Sequence, residues 1–322
     1  MNSTTFCAQS RPLATYNVIG RHRIRFLNAM TSMGLMKTAT GDVRFATMST
    51  ATGKHIGQMR LEVGEDHLTL VTAADSAESL IAGLAKHRVA DDIRWTAHEA
   101  EPNELAVWAE TTAALEASLA GLPGLVAVPG VGTFADGVSA DGLPYRVSRL
   151  EARFAPLGVE TAFLRPLGGD AEAQANLLQS LAGASGGTPV SQAAYDAKRV
   201  QALWPDDKLD LGDDEPTLAS TRLVGTVDWD KGCFLGQEVF VMARDRGQAP
   251  KRLVAFTVLG DAPSAGTEVL TPDGKVAGRI GSTAPSAGMT WLLTLIKKRF
   301  AETDGLVLND GRVLVSRDPA NP

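Results

Sequence analysis

Short glycine turns set the terms on which this chain can fold. Thr52-Gly53-Lys54, Gly64-Glu65-Asp66, Asp273-Gly274 and Asp310-Gly311 each stand between segments of alternating or β-branched apolar residues. Glycine accepts the positive φ that a tight hairpin requires, so the strands on either side of such a turn run antiparallel. The pattern predicts strands over 45–52 and 53–63 and from His67 to Thr72, an antiparallel meander. Toward the C-terminus it predicts strands over 251–259, 268–271, 275–282, 291–296, 306–308 and 312–316. So many short strands joined by Asp-Gly turns argue for a small β-barrel or sandwich.

Segments at helical spacing interrupt the strands. Ile24, Leu27 and Met30 stand three apart with Phe26 beside them, which predicts an amphipathic helix over 23–33 ended by Gly34. A second helix is predicted from Ser76, as N-cap, through Leu80, Ile81 and Leu84 to the basic run Lys86-His87-Arg88. Leu115 to Leu122 and Glu172 to Leu181 repeat the pattern, with strands at 93–97, 105–109 and 142–150. No Gly-x-Gly-x-x-Gly and no P-loop is present. The expected fold class is therefore α+β with mixed antiparallel sheets, not a doubly wound nucleotide-binding sheet.

Composition narrows the chemistry. A chain of 322 residues, 44% hydrophobic and 21% charged, can bury a core without staples and has room for about two or three domains. The net charge of −6 argues against direct nucleic-acid binding, which needs concentrated Lys and Arg. The basic cluster Arg21, His22, Arg23 and Arg25 reads as a solvated helix start, and the acidic stretch from Asp206 to Glu215 as a solvated loop. Cys7 and Cys233 give no disulfide framework, and His22, His55, His67, His87 and His98 lack metal-ligand spacing, so no metal is expected. No apolar run spans a membrane and the polar N-terminus lacks a signal core, so the expected location is cytoplasmic.

One segment concentrates functional groups. Lys231-Gly232-Cys233-Phe234-Leu235-Gly236-Gln237-Glu238 brings an amine, a thiol, an amide and a carboxylate between glycines. Gly232 and Gly236 let the backbone turn, and a neighbouring ammonium favours the thiolate, the reactive form of cysteine. Inert packing of Cys233 stands beside that reading, because free cysteine often behaves as a small hydrophobe. No Gly-x-Ser-x-Gly elbow is present, and nothing in sequence places a base beside Cys233.

The pattern Lys-Gly-Cys-aromatic-x-Gly-Gln-Glu, followed by Arg246-Gly247, resembles the hallmark of the YgfZ-type folate-binding proteins. These are relatives of the glycine-cleavage aminomethyltransferase and of a mitochondrial iron-sulfur assembly factor. The resemblance implies N-terminal domains forming a ring whose central hole accepts tetrahydrofolate, followed by the C-terminal barrel. The corresponding limits are 1–45 with 135–245, 46–134, and 246–322. It implies an accessory protein for assembly or repair of iron-sulfur enzymes, including tRNA-modifying ones, with client or carrier proteins as partners and no metal held by this chain alone.

By the same resemblance Cys233 is the functional thiol, Lys231 its electrostatic tuner, and Gln237 and Glu238 its support, with Gly232, Gly236 and Arg246 completing the motif. Arg199 matches the arginine of the family's Arg-hydrophobic-Glu-Ala-Gly segment, while Gln201 replaces its glutamate and Leu203 its glycine. Counted from Gly53-Lys54, Gln58 stands where relatives carry an aspartate, and Met242 where an arginine is usual. An amide keeps a donor and an acceptor but is neither base nor anion. A folate-dependent aminomethyl- or demethyl-transferase and a scaffold that has lost folate are the alternatives.

Overall fold

The computed structural model describes residues 4–8, 12–98, 103–246, 249–286 and 288–317. The chain divides into two compact units. The first comprises Met1–Thr47, Gly57–Gln192 and Asp228–Phe234; the second comprises Met48–Ile56, Ala193–Val227 and Leu235–Pro322.

Two sheets lie mainly in the first unit, with Met48–Ser49 and His55–Ile56 at the ends of two strands assigned to the second. One has five strands, β2 (Leu13–Ile19), β3 (Val43–Ser49), β4 (His55–Val63), β5 (Leu68–Ala73) and β6 (Arg94–Ala97), in the order β3-β4-β5-β2-β6. β4 pairs antiparallel with β5, as the turn at Gly64 predicts, and β2, which the glycine turns do not predict, pairs antiparallel with both β5 and β6. Helices α1 (Arg23–Met30) and α2 (Ala74–His87) accompany it. The other sheet has six strands: β1 (Thr5–Ala8), β7 (Leu105–Trp108), β8 (Phe134–Val138), β9 (Pro144–Leu150), β10 (Thr161–Pro166) and β11 (Thr188–Pro189). Their order is β11-β1-β7-β10-β9-β8, antiparallel except for β1 with β11. Helices α3 (Thr112–Ala120) and α4 (Ala171–Ala184) supply Leu115, Leu119, Leu177 and Leu181 to a core completed by Leu105 and Leu164 of this sheet.

Local expectations fail where tertiary partners replace local ones. α2 starts at Ala74 rather than at a Ser76 cap: Ala73 offers no side-chain cap, and the Ala74 N–H donates to Pro12 O at 3.0 Å. A partner distant in sequence thus satisfies a donor that a cap residue normally takes. α1 stops at Met30, because Thr31 is already extended at φ −122°, ψ 164°. β10 escapes the pattern altogether, since all its residues are buried and a strand covered on both faces has no polar alternation. β8 lies at the end of residues 121–137, a stretch rich in glycine and proline. There Gly137 passes under Tyr145, whose ring carbon a Cβ would approach to 2.4 Å.

The second unit contains α5 (Gln192–Gln201), α6 (Thr221–Val224), α7 (Gln237–Arg246) and six C-terminal strands: β12 (Lys251–Leu259), β13 (Glu268–Leu270), β14 (Val276–Ser286), β15 (Met289–Lys297), β16 (Val307–Leu308) and β17 (Val315–Ser316). Their order is β16-β13-β14-β15-β12-β17, with Val254, Phe256, Ile280, Leu292 and Ile296 in the core. The expected barrel is a curled half-barrel instead. Its edge strands β16 and β17 have 2 residues each, and the segment between them turns back so that Leu308 N donates to Arg312 O at 2.9 Å and Leu314 N to Leu306 O at 2.8 Å.

The acidic stretch is not a solvated loop. Asp206, Asp207 and Asp210 are buried, and only Asp213 and Asp214 of its aspartates are exposed. Asp206 accepts from the Lys208 and Leu209 N–H groups, and Asp207 Oδ1 meets His55 Nε2 at 2.7 Å. Asp210 Oδ1 accepts from Ser282 N at 2.6 Å and its Oδ2 from Ser282 Oγ at 2.7 Å, with Arg199 Nη1 at 3.4 Å. Burial pushes the Asp210 carboxyl up, opposed by Arg199 and Ser282. Charge counting along the chain misses this, because the partners are 72 and 11 residues away.

A register shift in β14 between Ile280 and Thr283 holds Gly281 and Ser282 against Asp210. A Cβ at Gly281 would lie 2.1 Å from Asp210 Oδ1. Gly281→Ala is therefore expected to destabilise the protein by about 1–3 kcal/mol through overpacking of a bonded carboxylate. Urea unfolding measures this, and an unchanged midpoint would contradict it.

Candidate functional site

The thiol motif is divided by the unit boundary. Lys231–Phe234 belong to the first unit and Leu235–Arg246 to the second.

In the first unit, the C-terminal end of α1 prepares a seat for Lys231. The last carbonyls of a helix lack intrahelical partners and carry the negative end of its dipole, so a cation is stabilised there. Lys231 Nζ donates to Thr31 O at 2.8 Å and to Asn28 O. The same loop is fixed by Leu35 N donating to Asn28 Oδ1 at 2.9 Å, Thr47 N to Ser32 Oγ at 3.0 Å, and Asp228 N to Ser32 O at 3.0 Å. Gly34 is needed for close approach, since a Cβ there would lie 2.2 Å from Asp228 Oδ2.

Lys231 also lies 4.9 Å from the centre of the buried Phe234 ring. Its ammonium is pushed down to about 8, chiefly by burial, against the opposing charges of Asp228 and Cys233.

Gly232 has φ +89° with nothing within 4 Å of a built Cβ, so backbone conformation rather than crowding calls for glycine. The turn leaves Cys233 exposed and free. Inert core packing is thereby excluded for this thiol. Of the residues seating Lys231, Asn28 and Asp228 were invisible in the sequence. They belong to no motif, and Asn28 lies 203 positions from its partner.

In the second unit Gly236 has φ +81°, and a Cβ on it would lie 2.6 Å from Thr50 O. Ser49 Oγ reaches Leu235 O at 3.5 Å, tying the start of α7 to the Thr50–Lys54 turn. Gln237 opens α7 half-buried, while Glu238 and Met242 are exposed on it. Arg246 ends the helix, and Gly247 lies outside the described residues.

The residues expected to hold folate have separate fates. Arg199 is buried and committed within the second unit: Nη1 donates to Trp204 O at 2.7 Å, Nη2 to Ser282 Oγ at 2.9 Å, and Nε to Asp196 Oδ1 at 3.2 Å. It latches α5 to β14 and has little left for a ligand. Gln201 is exposed at the end of α5. Leu203, standing where the family segment has glycine, keeps a glycine-like φ of +57°. Gln58 of β4 is half-buried in the first unit, and its carbonyl accepts from Thr72 Oγ1 at 2.8 Å.

His55 is buried between Asp207 and Thr217 Oγ1, a structural role. Among the described residues no group of three or more His, Cys, Asp or Glu is arranged to hold a metal, and no helix is long and apolar enough to cross a membrane.

No family model matches this chain. Over 119 residues, 34% of its length, it is 28% identical to the mitochondrial iron-sulfur cluster assembly factor IBA57 homolog of Coccidioides immitis. The chain spans about a quarter of that relative's length, 27%. The structure is similar to the crystal structure of the glycine cleavage system aminomethyltransferase T from Bartonella henselae, with a TM-score of 0.72 at 18% identity. The match covers 98% of this chain and 84% of that one. The fold is therefore that of the aminomethyltransferase, and the sequence is similar to that of an iron-sulfur assembly factor.

Proposed function

We propose that this YgfZ-type, aminomethyltransferase-like chain is a tetrahydrofolate-binding accessory protein that assists assembly or repair of iron-sulfur cluster enzymes through Cys233. The observation that carries this reading is an exposed thiol on a left-handed glycine turn, beside a lysine seated on the carbonyls of α1. A cysteine thiolate is both the nucleophile and the soft metal ligand. The exposed position lets the thiol reach a partner protein. Similarity to an iron-sulfur assembly factor supports the same reading. Clients that modify tRNA, a cytoplasmic location and the division into domains 1–45 with 135–245, 46–134 and 246–322 belong to this proposal.

The aminomethyltransferase-like fold supports association with folate. Gln58 of the first unit and Gln201 of the second each offer a donor and an acceptor where the resemblance puts folate contacts. Neither supplies a base, which weighs against aminomethyl or demethyl transfer. Calorimetric titration with tetrahydrofolate should give saturable heat, and the ligand at about 100 times its Kd should add ~2.7 kcal/mol of stability. Neither heat nor stabilisation would favour a scaffold without folate. Formation of methylene-tetrahydrofolate from a methylamine donor would favour the transferase.

A further inference from the structure

The C-terminal half-barrel carries a concentration of positive charge that neither the thiol nor folate uses. An open groove of about 760 Å³ is lined by Arg252, Lys297, Lys298, Arg299 and Glu302, four cations against one carboxylate, on a chain of net charge −6. All these residues lie in the second unit.

The groove is built on fixed backbone. β12 and β15 pair with Lys251 opposite Lys297, and Lys298 N donates to Pro250 O at 2.9 Å, holding the single turn 298–300 against the start of β12. Like charges facing each other across a ladder are unfavourable. Lys251 is relieved by Glu215, whose two oxygens lie 2.6 and 2.7 Å from its Nζ. Lys297 receives no such relief from Val276 O, a neutral acceptor at 2.8 Å, which leaves its positive charge in place. Arg299 is steadied over the Phe300 ring at 4.7 Å. Lys298, Arg299 and Glu302 are exposed.

We infer that this groove binds a short acidic segment of a protein partner. Guanidinium groups pair with carboxylates in two-point geometry, and lysines add charge without demanding direction. A volume of this size suits a few residues of extended chain. Nucleic acid fits less well, because a long polyanion would run beyond the groove over a chain of net negative charge. The inference is independent of the thiol reading, since Cys233 lies in the other unit.

The test is fluorescence anisotropy of the full chain with fluorescein-labelled hexaglutamate, and with labelled hexauridylate for comparison, at low and physiological salt. Saturable hexaglutamate binding that weakens with salt is expected. The double variant K298E/R299E should lose at least ten-fold in affinity while its unfolding midpoint stays near that of the parent, because both side chains are exposed. Equal binding by the double variant, no saturable binding by the parent, or tighter binding of hexauridylate would each overturn the inference.

Discussion

Glu62→Ala is expected to lower the unfolding free energy by about 3–5 kcal/mol, the size seen when one partner of a buried charge cluster is removed. Glu62 is 0% exposed on β4. Its carboxylate accepts from Arg165 Nη2 at 2.6 Å, Ser148 Oγ at 2.7 Å, and Arg60 Nε and Arg146 Nη1 at 3.2 Å each. Glu104 and Asp136 complete the cluster through Arg60 and Arg146, and Arg146 lies 3.7 Å from the centre of the Phe134 ring. Without Glu62 those two carboxylates face three guanidinium groups, and the Arg165 pair is lost. Glu62→Gln keeps the shape and loses the charge, so it should be destabilising by less.

The pH dependence follows from the same cluster. Burial pushes the Glu62 carboxyl up, but Arg165, Arg60 and Arg146 outweigh it and hold the group at about 2, below its ordinary 4.5. A lowered carboxyl stabilises the fold fully above its unfolded value and loses that contribution as pH falls from 4.5 toward 2. The loss amounts to about 3 kcal/mol. Urea unfolding between pH 6 and 2.5 should show this acid limb in the parent and its absence in Glu62→Gln. If the two chains lose stability in parallel, Glu62 is not its source.

Cys233→Ser should leave the unfolding free energy within about 0.5 kcal/mol of the parent, as substitutions of exposed side chains usually do. Activity of client iron-sulfur enzymes in cells depending on the variant should nevertheless fall roughly ten- to thirty-fold, the consequence of losing about 1.4–2 kcal/mol of a contact group at a partner. Serine keeps the size but supplies neither thiolate nor soft ligand. Full complementation by Cys233→Ser would remove the thiol from the proposed function.

Much of the secondary structure was legible because it rests on neighbours in the chain. The turn Thr52-Gly53-Lys54 was readable from its glycine alone. β10 was not, because burial on both faces erases alternation. Within the site, the motif and its glycines could be read directly. The commitment of Arg199 to Ser282 and Asp210 could not.

What the sequence determined by itself was the antiparallel α+β plan and the chemistry of residues 231–238, since φ preference, periodicity and a contiguous motif are properties of adjacent residues. Tertiary structure alone decided that Cys233 is exposed, that Lys231 sits on the end of α1, and that Asp210 and Glu62 are buried charges rather than solvated ones. Those outcomes depend on which groups packing brings together across tens to hundreds of residues. In a low-dielectric interior the partner, not the residue's own identity, sets whether a charge is tolerated.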